Sequence, residues 1–217
     1  VAKIEEAASA MKQIVMSGKI ILFVATKKQA KDIVAEKVKK LNMPYITERW
    51  PGGLLTNFVT IRKAVKKMDT IDKMKEDGTI DTLSKRERLQ ISRTREKLEK
   101  NLGSIAKMNR MPSAIFVVDI KKEKIAVAEA KKLNIPTFAI VDTNSDPNLV
   151  DFPIPANDDA TKSIECILDI LIKAVSEGLE EKNKAAEQKA MENAKKLKVK
   201  KNNEEENKEE KIKKIKK

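Results

Sequence analysis

The sequence runs to 217 residues with 46 Lys and Arg against 33 Asp and Glu, one Cys, no His and a formal net charge of +13. One Cys excludes a disulfide framework, and the lack of His excludes nearly every zinc site and every Ser-His or Cys-His catalytic arrangement. No apolar run approaches the roughly 18 residues of a membrane span and no signal peptide opens the chain, so a reduced, cytoplasmic setting without membrane contact is expected.

In chain order, the stretch from Ile4 is rich in helix formers and predicts a helix ending near Gly18. Lys19 to Ala25 is a continuous apolar run, the pattern of a strand buried on both faces. A helix follows from about Lys28 to Leu41, with Ile33, Val34, Val38 and Leu41 on its apolar side, and Pro44 to Thr47 reads as a short second strand. Ala114 to Ile120 and Pro136 to Asp142 predict two more buried strands, with a helix from Lys124 to Leu133 between them. Phe152 to Pro155 adds a short fifth strand before a helix from Asp159 to Glu177, for which Asp158 or Asp159 is the expected cap. Strands alternating with helices of this length imply βαβ units and a parallel sheet.

Residues 57–110 break that rhythm. Phe58, Ile61, Val65, Met68, Ile71 and Met74 recur at helical spacing, Glu76 to Thr79 is a turn, and Ile91, Leu98 and Ile105 follow at heptad spacing. Two antiparallel helices, each about 30 Å long, are expected to protrude from the sheet as a coiled-coil hairpin. The fold class expected is therefore α/β, three-layered, with a mainly parallel sheet flanked by helices. Residues 1–56 and 111–179 form the sheet domain, 57–110 the inserted hairpin, and 180–217 a Lys/Glu-rich mobile tail.

Charge is unevenly placed along these parts. The four segments carry +5, +7, −4 and +5, and six of the seven Arg residues fall within 57–110. A directional positive field of this kind suits a polyphosphate partner. On the first hairpin helix Arg62, Lys63, Lys66 and Lys67 lie opposite the apolar seam. On the second, Arg86, Arg93, Lys97 and Lys100 share one side, with Arg88 and Arg95 beside them and Arg110 beyond. Guanidinium groups bind phosphate bidentately, and a rigid basic rod can read the shallow minor groove of A-form RNA. A solvated face with intrahelical pairs is the plainer reading, since Asp69, Glu87, Glu96 and Glu99 are interspersed.

Three further places invite chemistry. The loop Thr26 to Gln29 sits between a strand's carboxyl end and a helix's amino end, where anions bind, and Lys27 and Lys28 add charge. It lacks a Gly-rich nucleotide turn, so polyanion contact or simple solvation are the readings. Pro51, Gly52 and Gly53 force a turn that Thr56 or Asn57 would end as a helix cap, leaving Arg49 and Trp50 over. Trp50 is either a plug between hairpin and sheet or a stacking platform for a base. Asp119, Asp142, Asn144, Asp146, Asp151, Asp158 and Asp159 gather at strand ends, where they offer either a Mg²⁺ site or turn caps. Cys166 is expected in the core.

Four segments appear in order: FVATKKQA from Phe23, RWPGGLLTNF from Arg49, AIFVVDIKKEKIAVAEAKKLNIP from Ala114 and AIVDTNSDPNLVDFPIPANDDATKSI from Ala139. Together, over about residues 1–178, they resemble the bacterial-type ribosomal protein two family of the small subunit. The resemblance implies an α/β sandwich with a helical hairpin and no catalytic activity, cofactor, metal or small-molecule substrate. It implies binding to small-subunit ribosomal RNA near the head–body junction, neighbouring small-subunit proteins, and help in docking ribosomal protein one. Lys27, Lys28, Arg49 and Trp50 fall in matching loops near the hairpin base. RNA contact is accordingly expected at those four and at Arg62, Lys63, Lys66, Lys67, Arg86, Arg88, Arg93, Arg95, Lys97 and Arg110.

Overall fold

The computed structural model describes residues 1–185. Five strands, β1 (Ile21–Val24), β2 (Tyr45–Ile46), β3 (Ala114–Val118), β4 (Thr137–Val141) and β5 (Phe152–Pro155), form one sheet in the order β2-β1-β3-β4-β5. Every neighbouring pair is parallel. β1, β3 and β4 are buried along their whole length, as expected for strands covered on both faces. The edge strand β5 carries Pro153 and Pro155, which cannot donate to a further strand.

Register aligns five of the chain's seven aromatic residues into one row. Tyr45 pairs with Phe23, Phe23 with Phe116, Phe116 with Phe138 and Phe138 with Phe152. The ring centroids of Phe138 and Phe152 stack at 4.5 Å, and those of Phe23 and Phe116 meet tilted at 5.5 Å. Ring pairs of these geometries add to the apolar burial itself.

This row anchors the first of two cores. On its face pack α1 (Ala2–Met16), α2 (Lys28–Lys40) and α6 (residues 161–185), through Ala7, Met11, Val34, Val38, Leu168 and Leu171. On the opposite face lie α5 (Lys124–Lys132) and the sheet-proximal ends of α3 (Phe58–Glu76) and α4 (Lys85–Leu102), with Val65, Leu102, Val127 and Ala130 in the second core. The molecule is therefore three-layered about an all-parallel sheet.

α3 and α4 run antiparallel. Arg95 Nε donates to Asp72 Oδ1 at 2.5 Å, and Arg62 near the start of α3 donates to the Ala106 and Met108 carbonyls just past α4, both at 3.2 Å. Gly78 makes the turn between them with φ +71°, a left-handed conformation that suits glycine. Ser84 and Glu87 then form a capping box that starts α4.

α1 and α6 approach so closely that a Cβ on Gly178 would lie 2.9 Å from the Lys12 carbonyl oxygen. Gly178→Ala gains helix propensity of about 1 kcal/mol, but overpacking costs about 1–3 kcal/mol. A net loss of up to about 2 kcal/mol is expected, read as a lower urea midpoint at unchanged slope.

Three local expectations are corrected. Asn157, not Asp158 or Asp159, caps the approach to α6, its Oδ1 accepting from the N–H groups of Asp159 and Ala160, both at 2.8 Å. Asn57 stands at the cap position of α3, yet its Oδ1 accepts from the Thr60 hydroxyl rather than from a backbone N–H. Cys166 is exposed, because α6 turns Ile164, Ile167 and Leu168 inward instead. From residue 186 on, the expected tail lies outside the described residues.

Candidate nucleic-acid interface

Strand order reverses direction between β1 and β3, and α/β sheets bind ligands at the carboxyl ends beside such a switch. Here that position is cross-linked by the chain itself. The Thr26 hydroxyl donates to Glu123 Oε1, the Thr26 N–H reaches the same oxygen at 3.3 Å, and Lys122 Nζ donates to the Thr26 carbonyl at 2.9 Å. Glu123 is buried, which pushes its carboxyl pKa up against the opposing bonds from Thr26.

Lys27 lies beside this network. Its ammonium is 2.7 Å from Asp158 Oδ1, 2.7 Å from Asp159 Oδ1 and 3.6 Å from Asp119 Oδ2. Burial pulls its pKa down, but the bonds from Asp158 and Asp159 with the charge of Asp119 outweigh that and hold it well above the ordinary lysine value. Asp158 is fully buried, and desolvation pushes its carboxyl up despite the Lys27 bond. Asp119 takes φ +70° at the end of β3, and its Oδ1 accepts from the Lys122 N–H at 3.1 Å. Oxygens of Asp142, Asp158 and Asp159 lie within 4.8 Å of one another, and Lys27 pairs with two of the three, Asp158 and Asp159. Lys28, next along, is exposed.

The Pro-Gly-Gly turn is held by one residue. Glu129 points inward from α5 and is 8% exposed. Its Oε1 accepts from Trp50 Nε1 at 3.1 Å and the Gly53 N–H at 2.7 Å; its Oε2 accepts from the N–H groups of Leu55 at 3.0 Å and Thr56 at 3.2 Å. The Thr56 hydroxyl adds a fifth bond at 3.3 Å. Burial raises the Glu129 pKa, and the bonds from Trp50 and the three backbone N–H groups outweigh it, leaving the carboxyl below its usual value. Trp50 is buried in the second core, its indole N–H already engaged, while Arg49 beside it is exposed. The plug is thus the placement found for Trp50.

The helix-pair cations divide in two. Arg62 is half-buried on backbone carbonyls, Arg95 is tied to Asp72 and, at 3.4 Å, to Glu99, and Arg88 lies 3.5 Å from Asp81. These three serve the fold first. Arg86, Arg93 and Lys97 are exposed and line one groove with Ile61, Leu89 and Leu98. Lys63, Lys66 and Lys67 are exposed along the other side of the pair, over Ile71 and Ile91, and Arg110 is exposed beyond α4. None of these seven makes an ion pair among the described residues.

Sequence reasoning missed Glu129 and Glu123. Glu129 lies on the inward side of the short Ala-rich α5, and that mismatch between polarity and face was the available signal; Glu123 stands at the cap position just before it. It also missed the capping box, which Ser84 and Glu87 spell out at the required spacing.

No described helix is long and apolar enough to cross a membrane. The family model for Ribosomal protein S2 matches residues 1–178. The chain is similar to a protein of Flavobacterium johnsoniae named Small ribosomal subunit protein uS2, 69% identical over 193 residues, covering 89% of this chain and 76% of the relative. Relatives of the same name in Flavobacterium psychrophilum and Bacteroides thetaiotaomicron are 71% and 69% identical, covering 82% and 84% of this chain and 67% and 66% of their own lengths.

Proposed function

The chain belongs to the ribosomal protein S2 family, and from that premise we propose that it is a structural constituent of a bacterial small ribosomal subunit that binds ribosomal RNA through its α3–α4 arm. The family is structural and not enzymatic. The observation that carries the RNA reading is the set of exposed cations on the helix pair, above all Arg86, Arg93 and Lys97, that no carboxylate of the described residues neutralises. Phosphate contact releases counterions from the RNA, so affinity falls steeply with salt.

Within this reading, Arg49, Lys28, Lys63, Lys66, Lys67 and Arg110 add contacts around the arm and its base. Lys27, Trp50, Arg62, Arg88 and Arg95 act by holding that base and the helix pair in shape. Docking of ribosomal protein one, and a place on the cytoplasmic ribosome, belong to the same proposal and are supported by the family alone. A nucleotide-binding enzyme is disfavoured because Thr26, Lys27 and Lys122 cross-link the strand-end switch with the chain's own carboxylates and carbonyls.

The test is sedimentation of the untagged protein from a gentle lysate through sucrose gradients, half of it in low magnesium to separate the subunits. Near-stoichiometric comigration with free small subunits is expected. Retention at the top of both gradients would overturn the reading.

A further inference from the structure

By sequence, residues 111–179 are the acidic part of the chain, at −4, yet residues 120–135 within it are net basic and the fold sharpens that contrast. Five of the segment's seven basic residues, Lys121, Lys122, Lys124, Lys131 and Lys132, fall on or next to α5, and all five are exposed. The only carboxylates between 120 and 135 are Glu123 and Glu129, which are 3% and 8% exposed and bonded inward to Thr26 and to the Trp50–Thr56 turn. Burying both acids while leaving five lysines out turns a stretch that is already net basic into a cationic face, whose one acidic neighbour in the flanking groove is the exposed Asp146. Lys122 is tied to the Thr26 carbonyl; Lys121, Lys124, Lys131 and Lys132 make no ion pair among the described residues.

We infer that the outer face of α5 is a second RNA-backbone contact, on the same side of the sheet as the arm. The inner side of α5 packs in one core with Val65 of α3 and Leu102 of α4, and Glu129 ties it to the turn that starts α3, so both basic surfaces issue from a single layer. A polyanion lying along that layer meets lysines on α5 and arginines on α4. The inference rests on the RNA-binding reading above. An apolar floor of Ile120, Val127 and Leu149 lies beside Lys121 and Lys124, which a protein partner would use instead, so the test must separate the two.

The full chain would be titrated onto transcribed small-subunit ribosomal RNA between about 50 and 200 mM salt, the range over which phosphate contacts show their salt dependence. Replacing Lys121, Lys124, Lys131 and Lys132 together with Gln is expected to make the log–log salt slope shallower by roughly three to four units and to weaken binding at least about tenfold, since each lost phosphate contact removes just under one unit. The matching Lys→Arg variant should keep the slope, and both should unfold at the parental temperature. An unchanged slope and affinity for a folded Gln variant overturns the inference. If an Arg86, Arg93 and Lys97 variant loses slope in the same assay while the α5 variant does not, the α5 contact alone fails. If neither moves the slope, the RNA reading itself fails and takes the α5 contact with it. Normal RNA binding with loss from small subunits also overturns the inference and assigns the face to a protein.

Discussion

Glu129→Ala is expected to destabilise the protein by about 3–5 kcal/mol, lowering its melting temperature by on the order of 10 °C. The carboxylate receives five hydrogen bonds from Trp50, Gly53, Leu55 and Thr56, and no other side-chain acceptor binds these donors among the described residues. Truncation leaves the buried Trp50 and Leu55 donors unpaired, each costing about 1–3 kcal/mol, while those of Gly53 and the exposed Thr56 can turn to water. Glu129→Gln should cost less, since one carbonyl oxygen survives, but its amide would face N–H groups. Both variants should also loosen the turn ahead of α3, read as faster tryptic cleavage after the exposed Arg49.

The pH dependence has a definite sign. The folded-state pKa of Glu129 is lowered, so its stabilisation is fully present above the ordinary glutamate value near about 4.3 and is lost as pH falls through the folded value. The stability gap between the parent and Glu129→Gln should therefore be constant from neutral pH to about 5 and narrow below about 4. A Glu129→Ala variant with the parental melting temperature would sink this account.

Reversing Arg86, Arg93 and Lys97 to Glu should reduce affinity for small-subunit RNA at least about 100-fold, from three charge-assisted contacts of about 1.5–3 kcal/mol each. Occupancy in purified small subunits, measured by quantitative mass spectrometry, should fall with it. These side chains are exposed and make no ion pair among the described residues, so thermal stability should change by less than about 1 kcal/mol. Arg95 is left out of the set because its bonds to Asp72 and Glu99 would make a binding defect indistinguishable from a folding one. Full occupancy of the triple variant would count decisively against the arm.

Much of this was legible in the sequence. Apolar runs such as Ala114 to Val118 announced buried parallel strands, and helical spacing placed Val65, Met68 and Ile71 on the inward face of α3. The cationic positions of the helix pair could likewise be named, though not sorted into those that bind inward and those that face out. Arg62 and Arg86 look alike in sequence; one donates to the Ala106 and Met108 carbonyls and the other is exposed.

Sequence alone determined the layer architecture, the strand positions and the excess of positive charge, because hydrophobic periodicity and composition are local properties. The tertiary structure decided where that charge acts. It aligned Tyr45, Phe23, Phe116, Phe138 and Phe152 across five strands, set Lys27 among Asp119, Asp158 and Asp159, and turned Glu123 and Glu129 inward. Each of these joins residues tens of positions apart. Their energies depend on separation and burial in space, which chain spacing does not encode.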